Sequence, residues 1–311
     1  MNAAAGDFLL PVDKPEGPTS HDVVTAARRA LRTRKVGHTG TLDPFASGLL
    51  LLCVGRATRL AEYVSGLDKC YEAVARLGTT TDTLDRCGEV VAESSAWGDL
   101  READIEAALS AFRGDIDQIP PQYSAKKVGG EAMHRKARRG ERVELSPVRI
   151  TVHEARLAWV DLPHVGLAVR CSSGTYIRGV ARDLGEALGV GAHLSALRRT
   201  AVGRFRVQDA LVLDALDREG AVEAALIEPA DAVGHLPAVE IDENAVGALR
   251  DGRRIPVGTG AASDPLTARA GGAPNEATRV PVLVAVTRQR ELLAIAELEA
   301  GMLKPLKVFA A

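Results

Sequence analysis

The stretch from Lys35 to Leu50 constrains the fold of this 311-residue chain more than any other part of its sequence. A polar segment, in which Gly37 and Gly40 flank a histidine and a threonine, leads to the Asp-Pro pair at Asp43. The apolar run SGLLLLCVG follows, long enough for one buried element and far too short to cross a membrane. The pattern predicts a polar loop on a rigid, buried scaffold, which is the usual setting of functional side chains.

Asp43 is the carboxylate of this loop, and the residues alone leave two interpretations of it open. Proline disfavours the helical region for the residue before it, so Asp43 is expected in an extended conformation on a loop. The two glycines are expected to let the backbone turn sharply and a flat ligand approach closely. Asp43 is then either a turn residue in an Asp-Pro bend or a catalytic carboxylate.

The composition is that of an ordinary globular protein, with 46% hydrophobic residues. The first residues lack a basic start followed by an apolar core, so no secretory signal is expected and the predicted location is the cytoplasm. The four cysteines form no C-x-x-C pair, which favours reduced thiols over a metal or redox site.

The net charge of -2 argues against nucleic-acid binding, but the charge is unevenly distributed. Residues 1–212 carry a net charge of +3 and the remainder -5. Each of two basic clusters is either a solvated face or a set of phosphate contacts. The first comprises Arg28, Arg29, Arg32, Arg34 and Lys35, and the second comprises Lys126, Lys127, Arg135, Lys136, Arg138, Arg139 and Arg142.

The segment GHTGTLDPFASG, from Gly37 to Gly48, resembles the central motif of the bacterial tRNA pseudouridine-55 synthases, the TruB family, at every fixed position. A match of this length is far more specific than a short glycine motif. The resemblance implies that Asp43 is the catalytic nucleophile and that His38 wedges into the RNA.

Two further motifs resemble the same family. In KCYEAVARLG, strand-like alternation places Tyr71 on one face, where a tyrosine most often packs in a core. The resemblance implies instead an active-site tyrosine whose ring stacks on the target base. The segment DKPEGPTS is similar to a motif that mainly supports the catalytic loop, and we predict that its Lys14 also contacts substrate.

The segment CSSGTYIRG contains Arg178, which by itself is most simply a surface residue or a member of a structural ion pair. The resemblance implies that Arg178 pairs with the catalytic aspartate, keeping it ionised and oriented. Leu197, in HLSALRRT, matches a leucine that contacts the uracil, although a plain core leucine is an equally simple interpretation. His134 stands where many members have a tyrosine.

The resemblance spans about residues 8–210 and implies an α+β fold with a mixed, mostly antiparallel sheet. The predicted domains are a catalytic domain at 1–236 and a small PUA-like β domain at 237–311, which in relatives touches the acceptor end of tRNA. A flexible loop is expected at 261–279. Elements expected from the pattern are strands at 8–12, 69–78, 148–160 and 167–171, and helices at 21–31 with Ser20 as cap, 55–65 and 100–112.

The implied reaction is isomerisation of uridine to pseudouridine at position 55, in the T loop of tRNA. It needs no cofactor and no metal, because nothing is gained or lost overall, and the expected form is a monomer. One alternative is a pseudouridine synthase acting on another RNA, and a second is a non-catalytic RNA-binding or RNA-folding protein. A hydrolase using Asp43 and His38 is disfavoured, since no marked nucleophilic serine or cysteine is present.

Overall fold

The computed structural model describes residues 6–123, 127–128, 131–132, 139, 145–257 and 281–310. His134, the loop predicted at 261–279 and most of the second basic cluster lie outside these residues. No helix within these ranges is long and apolar enough to cross a membrane.

The described residues form nineteen strands in four sheets. In chain order the strands are β1 (Phe8–Lys14), β2 (Val36–His38), β3 (Ser47–Val54), β4 (Lys69–Leu77), β5 (Thr79–Thr81), β6 (Val90–Glu93), β7 (Gly114–Gln118), β8 (Lys127–Val128), β9 (Glu131–Ala132), β10 (Val148–Asp161), β11 (His164–Cys171), β12 (Ala192–Val202), β13 (Phe205–Arg206), β14 (Leu211–Val212), β15 (Ala238–Glu240), β16 (Ile255–Pro256), β17 (Val282–Arg288), β18 (Glu291–Glu299) and β19 (Met302–Val308).

Seven short α-helices accompany the strands within the described part of the chain. They are α1 (Ser20–Ala30), α2 (Ala61–Ser65), α3 (Glu102–Ser110), α4 (Ile177–Ala187), α5 (Ala221–Ala225), α6 (Pro229–Ala232) and α7 (Glu243–Arg250). Single 3₁₀ segments lie at Gly55–Leu60, Ala96–Asp99, Val207–Asp209 and Leu213–Ala215.

The main sheet has the order β14-β1-β3-β12-β4-β11-β10-β7, with β2 added to β3 and β13 to β12. Its pairs are antiparallel except for β1 with β14 and β3 with β12. Helices α1, α3 and α4 pack their apolar residues on one face of this sheet and share one core with it. The mixed, mostly antiparallel α+β architecture predicted from the sequence is therefore confirmed.

Strand β3 explains why the run after Asp43 is apolar without interruption. Leu50 and Leu52 belong to the core beneath α1, whereas Leu49, Leu51 and Cys53 belong to a second core on the opposite face. A strand buried on both faces reads as a continuous hydrophobic run instead of an alternating one. The loop that ends at β3 is thereby attached to the centre of the protein.

The second sheet, of order β15-β17-β18-β19-β16, forms the C-terminal β unit. Ala285, Leu292 and Ile295 of this sheet share a core with Leu9 and Leu51 of the main sheet. Two arginines of the 3₁₀ segment after β3 also donate hydrogen bonds to the end of the chain, from Arg56 to the Phe309 carbonyl and from Arg59 to the Val308 carbonyl. The C-terminal unit is consequently packed against the back of the sheet that holds the Asp43 loop.

Three local predictions need correction. Thr19, not Ser20, caps α1, in a reciprocal pair with Asp22. The helix expected at 55–65 is a 3₁₀ segment followed by a single α-helical turn. Gly37 and His38 lie in strand β2 and the chain bends after them, at Thr39 and Gly40, so the expectation that the histidine lies inside a glycine-flanked turn was wrong.

Gly48, at the start of β3, is the glycine of this region that its backbone requires. Its φ is +104°, and a Cβ atom there would lie 2.3 Å from the Arg199 carbonyl oxygen on β12. We expect Gly48→Ala to lower the free energy of unfolding by roughly 2 kcal/mol or more, as measured by denaturant titration. Gly247→Ala is the matched control, because that helical glycine has open space around it and should gain up to about 1 kcal/mol.

Candidate active site

Asp43 lies on the loop between β2 and β3, as predicted, directly before a turn that begins at Pro44. Its carbonyl oxygen accepts a hydrogen bond from the Ala46 amide at 3.1 Å. The hydroxyl of Ser20, on α1, donates to the Leu42 carbonyl at 3.1 Å and accepts from the Leu42 amide at 2.8 Å. The backbone of Asp43 thus closes the expected bend, which leaves its side chain available for another role.

Lys14 lies where the first loop meets the Asp43 loop. Its side chain is fully buried, and its ammonium donates to the carbonyls of Pro15 and Pro18 at 2.8 Å and of Pro44 at 3.3 Å. Burial lowers the pKa of this ammonium to about 8, against the charge of Asp43, which raises it. In this position Lys14 ties the first loop to the Asp43 loop, and substrate contact by Lys14 stays a prediction.

Arg178 is the second residue of α4, and it meets Asp43 as predicted. Gln118 fixes the start of this helix, because its amide accepts from the Tyr176 amide at 2.9 Å and donates to the Tyr176 carbonyl at 3.0 Å. The Arg178 Nε lies 3.0 Å from Asp43 Oδ2, and its Nη2 donates to Oδ1 at 3.1 Å. This two-pronged contact holds the plane of the carboxylate as well as its charge.

Asp85 provides a second carboxylate on the far side of the same guanidinium. Arg178 Nη1 lies 3.3 Å from Asp85 Oδ2, and the guanidinium also donates to the carbonyls of Thr83 at 2.8 Å and Tyr123 at 2.7 Å. Asp85 is itself buried and accepts from the Thr83 hydroxyl at 2.8 Å and the Cys87 amide at 3.0 Å. Every direction around Arg178 is therefore occupied, which leaves the guanidinium no freedom to turn away.

A cavity of about 410 Å³ opens beside this pair. Four of the six predicted site residues line it, namely Asp43, Tyr71, Arg178 and Leu197, together with Lys69 and Arg199. The remaining two, His38 and Lys14, are not among the lining residues. Within the described ranges, no three histidine, cysteine or acidic side chains converge in a way that could hold a metal ion.

Tyr71 and Leu197 come from two neighbouring strands, β4 and β12. The predicted alternation on β4 is confirmed, since Ala73 and Ala75 are buried on the face that bears Tyr71, whereas Glu72 is exposed. Burial raises the pKa of the Tyr71 phenol, against the effect of Arg199, which lowers it. The phenol therefore stays protonated and neutral at neutral pH, and its ring adjoins the apolar side chain of Leu197 in the cavity wall.

His38 ends strand β2 and is half-buried. Its Nδ1 accepts a hydrogen bond from the Gly40 amide at 3.3 Å. Burial lowers the pKa of the imidazole, and the charges of Arg199 and His21 act in the same direction. The ring is consequently neutral at neutral pH, which suits stacking on a base. Contact of His38 with RNA stays a prediction.

Asp43 experiences opposing influences on its proton affinity. Burial raises the pKa of the carboxyl above its ordinary value and is the largest influence, and the charge of Asp85 acts in the same direction. The charge and hydrogen bonds of Arg178 lower it, as does Lys14. The carboxylate is thus held in a partly buried position where its reactivity depends on the paired cation.

Three residues of the site escaped the sequence reasoning. Lys69 and Arg199 each lie two positions from a predicted residue on the same strand, so the period of two on a strand face could have identified them. No local signal identifies Asp85, because its contact with Arg178 arises only when the segment between β5 and β6 lies against β12 and the start of α4.

The first basic cluster lies at the end of α1 and in the following loop. Arg28 donates to the Val36 carbonyl at 2.8 Å, and Arg29 approaches Asp217 at 4.0 Å with both side chains largely exposed. The other three members, Arg32, Arg34 and Lys35, are exposed. Of the second cluster only Lys127 and Arg139 fall within the described residues. Phosphate contact by either cluster stays a prediction.

Comparison with known families gives two adjacent matches. Residues 28–177 match the family described as TruB family pseudouridylate synthase (N terminal domain). Residues 178–233 match the tRNA pseudouridylate synthase B C-terminal domain.

Curated relatives match over most of the chain. The protein named tRNA pseudouridine synthase B of Azoarcus sp. is 48% identical over 251 residues, which are 80% of this chain and 83% of that protein. The proteins of the same name from Burkholderia lata and Arthrobacter sp. are each 43% identical over 309 residues, covering 96% and 97% of this chain and 89% and 96% of theirs.

Solved structures share the fold. A chain of a Cbf5-Nop10-Gar1 complex superposes with a TM-score of 0.72 at 27% identity, covering 97% of this chain and 84% of that one. A chain of an H/ACA RNP bound to a substrate RNA containing 2'-deoxyuridine gives a TM-score of 0.70 at 26% identity, covering 100% of this chain and 87% of that one.

Proposed function

The chain belongs to the TruB family of pseudouridylate synthases, and from this premise we propose that the cavity beside Asp43 is where it carries out its reaction. The protein is an isomerase that converts uridine to pseudouridine in tRNA. Its target is position 55 in the T loop, which follows from the resemblance of the Asp43 motif to that of the pseudouridine-55 synthases.

The observation that carries the proposal is the clamp of Arg178 on Asp43 at the edge of the cavity. Isomerisation breaks the bond from the ribose to uracil N1, turns the base and rejoins it through C5. Asp43 acts as the nucleophile, toward either the ribose or the uracil ring. The guanidinium keeps this carboxylate ionised despite its burial, and fixes the direction from which it attacks.

Retention of the detached uracil requires a dry and shaped pocket. Tyr71 offers a ring face on which the base stacks, and the buried Leu197 offers an apolar wall. Such walls exclude water, which would otherwise capture the sugar before the base could rejoin it. The cavity volume of about 410 Å³ lies in the range of small-molecule sites.

The target uridine must leave its loop before it can enter the cavity. Extrusion of a base costs a few kcal/mol, and a neutral ring that fills the vacated position offsets part of this cost. His38, neutral and half-buried at the end of β2, is the residue we assign to this role. The exposed cations that follow α1 supply phosphate contacts for the rest of the tRNA.

The direction of the Asp43 pKa gives an expected pH dependence. Because burial raises the pKa of Asp43, its carboxylate takes up a proton at a higher pH than free aspartate does. Since the nucleophile must be ionised, the rate should decline as the pH falls through this raised value. Single-turnover rates across the acid range should show a midpoint above the ordinary value of 3.8. A rate that stays constant down to that value would contradict the assigned role.

The proposed function is tested with unmodified tRNA transcript labelled with tritium at uracil C5. Isomerisation releases the label of the converted uridine to water, so the protein should release about one tritium per tRNA. A transcript with cytidine at position 55 is the control and should release none. Release from labelled ribosomal RNA alone would favour the alternative substrate, and tRNA binding without any release would favour an RNA-folding protein.

We also propose the domain limits and the cellular setting. A catalytic domain at 1–236 and a small PUA-like β domain at 237–311 are supported by the start of the second sheet at Ala238. In this assignment the small domain reaches the acceptor end of the tRNA. The enzyme acts as a monomer in the cytoplasm, with tRNA as its partner and without a metal or another cofactor.

A further inference from the structure

Arg199 is a buried cation that lines the cavity. The mechanism proposed above assigns no role to it. It lies on β12, directly opposite Tyr71 on β4, with Leu197 opposite Ala73 on the same face. Residues paired in this way across antiparallel strands have Cβ atoms about 5 Å apart. Only 2% of Arg199 is exposed, and both Arg199 and Tyr71 line the cavity.

The Arg199 guanidinium contacts backbone carbonyls of the loop that holds Asp43 and of the strand that follows it. Its Nε donates to the Leu49 carbonyl at 2.7 Å, and its Nη2 donates to the Gly40 carbonyl at 3.0 Å. Its Nη1 lies 3.5 Å from the Thr41 carbonyl. These three carbonyls lie on both sides of Asp43, two before it and one on β3 after it. The guanidinium therefore fixes the distance between the segment before Asp43 and the strand after it.

The backbone of Arg199 is held as firmly as its side chain. Gly48 of β3 is its register partner in the parallel pair with β12, so close that a Cβ atom on the glycine would lie 2.3 Å from the Arg199 carbonyl oxygen. A guanidinium anchored at its backbone and fixed by three carbonyls has little freedom of its own. The position of the guanidinium therefore determines the position of the Asp43 loop.

The charge of Arg199 has no carboxylate partner within the described residues: its guanidinium donates to backbone carbonyls and also interacts with the Tyr71 phenol through a side-chain hydrogen bond. The positive charge of Arg199 acts on two neighbouring groups of the site. It lowers the pKa of the Tyr71 phenol and the pKa of the Lys69 ammonium. The other titratable groups that act on the phenol are Cys171 on β11 and Asp43, both of which raise its pKa.

We propose that Arg199 is a positioning residue that fixes the Asp43 loop relative to β4 and places an unpaired positive charge beside the Tyr71 phenol. This inference rests on the proposed function, since it assumes that Asp43 and Tyr71 act on the same uridine. Only a planar fork of donors reaches three carbonyls at once, and a lysine ammonium at this position cannot reproduce that geometry. Charge and geometry can therefore be separated by substitution.

The test compares Arg199→Lys and Arg199→Gln with Arg198→Gln. Arg198 is the matched control, because it is adjacent on β12 but forms its ion pair with Asp13, outside the cavity lining. We expect both Arg199 variants to lower the single-turnover rate by about 100-fold, as small misplacements of reacting groups do, with the tRNA dissociation constant nearly unchanged. Arg198→Gln should convert tRNA at nearly the wild-type rate.

A second readout needs no substrate. With 3-fluorotyrosine in place of tyrosine, the ¹⁹F resonance of residue 71, assigned by its loss in Tyr71→Phe, reports the titration of that phenol. Its midpoint should move to higher pH in Arg199→Gln, which loses the charge, and stay at the wild-type value in Arg199→Lys and Arg198→Gln. A role confined to loop geometry or to the framework of the fold would leave all the midpoints equal.

Several outcomes would overturn the inference. Wild-type turnover in Arg199→Lys would show that the fork is not needed, and an equal loss in Arg198→Gln would show that the effect is not specific to Arg199. Loss of the folded state in Arg199→Lys, seen by thermal unfolding, would place the residue in the framework of the fold instead. Absence of tritium release by the wild-type protein would end the proposed function, whereas the fluorine titration would still report on the pairing of Arg199 with Tyr71.

Discussion

Replacing Asp43 by asparagine is expected to abolish pseudouridine formation while leaving the affinity for tRNA nearly intact. Asparagine has almost the same shape. The hydrogen bonds that hold the loop do not involve the Asp43 side chain, since the Ala46 amide donates to the Asp43 carbonyl and the Ser20 hydroxyl bonds to the Leu42 backbone. The asparagine side chain, however, lacks the nucleophilic oxygen on which covalent catalysis depends. The single-turnover rate should therefore fall by roughly 10⁴-fold or more, as it does when other enzymes lose a nucleophile.

Asp13→Asn is the matched control for this substitution. Asp13 also faces an arginine with both of its oxygens, at 3.1 Å and 2.6 Å from Arg198, but this pair lies outside the cavity lining. Its replacement should leave the rate close to that of the wild type. Tritium release by Asp43→Asn at a substantial fraction of the wild-type rate would remove Asp43 from the chemistry, whatever the affinity.

The sequence predicted the scaffold of the site well, for a physical reason that is visible in β3 and β4. Burial on both faces gives β3 its unbroken apolar run, and burial on one face gives β4 its alternation around Tyr71. Both patterns are local, so a short stretch of sequence contains them completely. The position of Asp43 on a loop before β3 followed from the proline beside it.

The pairing of Asp43 with Arg178 could not be derived from spacing, since 135 positions separate the two residues. It was predicted only because both motifs resemble those of one family. Asp85 and Arg199 were missed because their roles depend on which strands and hairpins meet in space. Lys14 also depends on the fold: its burial among carbonyls, which links two loops, could not be read from the motif, and its predicted substrate contact stays a prediction.

Replacing Arg178 by alanine is expected to have the second largest effect, on both turnover and stability. Its removal leaves Asp43 and Asp85 partly or fully buried without their shared cation, and breaking a buried pair in this way costs about 3–5 kcal/mol. The turnover rate should fall by roughly 10²–10³-fold, the usual cost of losing a preorganised charge contact. The acid limb of the rate profile should move to higher pH, because Arg178 lowers the pKa of Asp43.

A second substitution separates the two effects of Arg178. Adding Asp85→Asn to Arg178→Ala removes one of the two uncompensated carboxylates, so part of the lost unfolding free energy should return while turnover stays low. Arg182→Ala is the control, since it removes an arginine one turn further along α4 whose partners are Asp183 and the Ile119 carbonyl. If Arg178→Ala instead weakened tRNA binding and left turnover unchanged, Arg178 would belong to the phosphate contacts, and the ionised nucleophile would need another source of stabilisation.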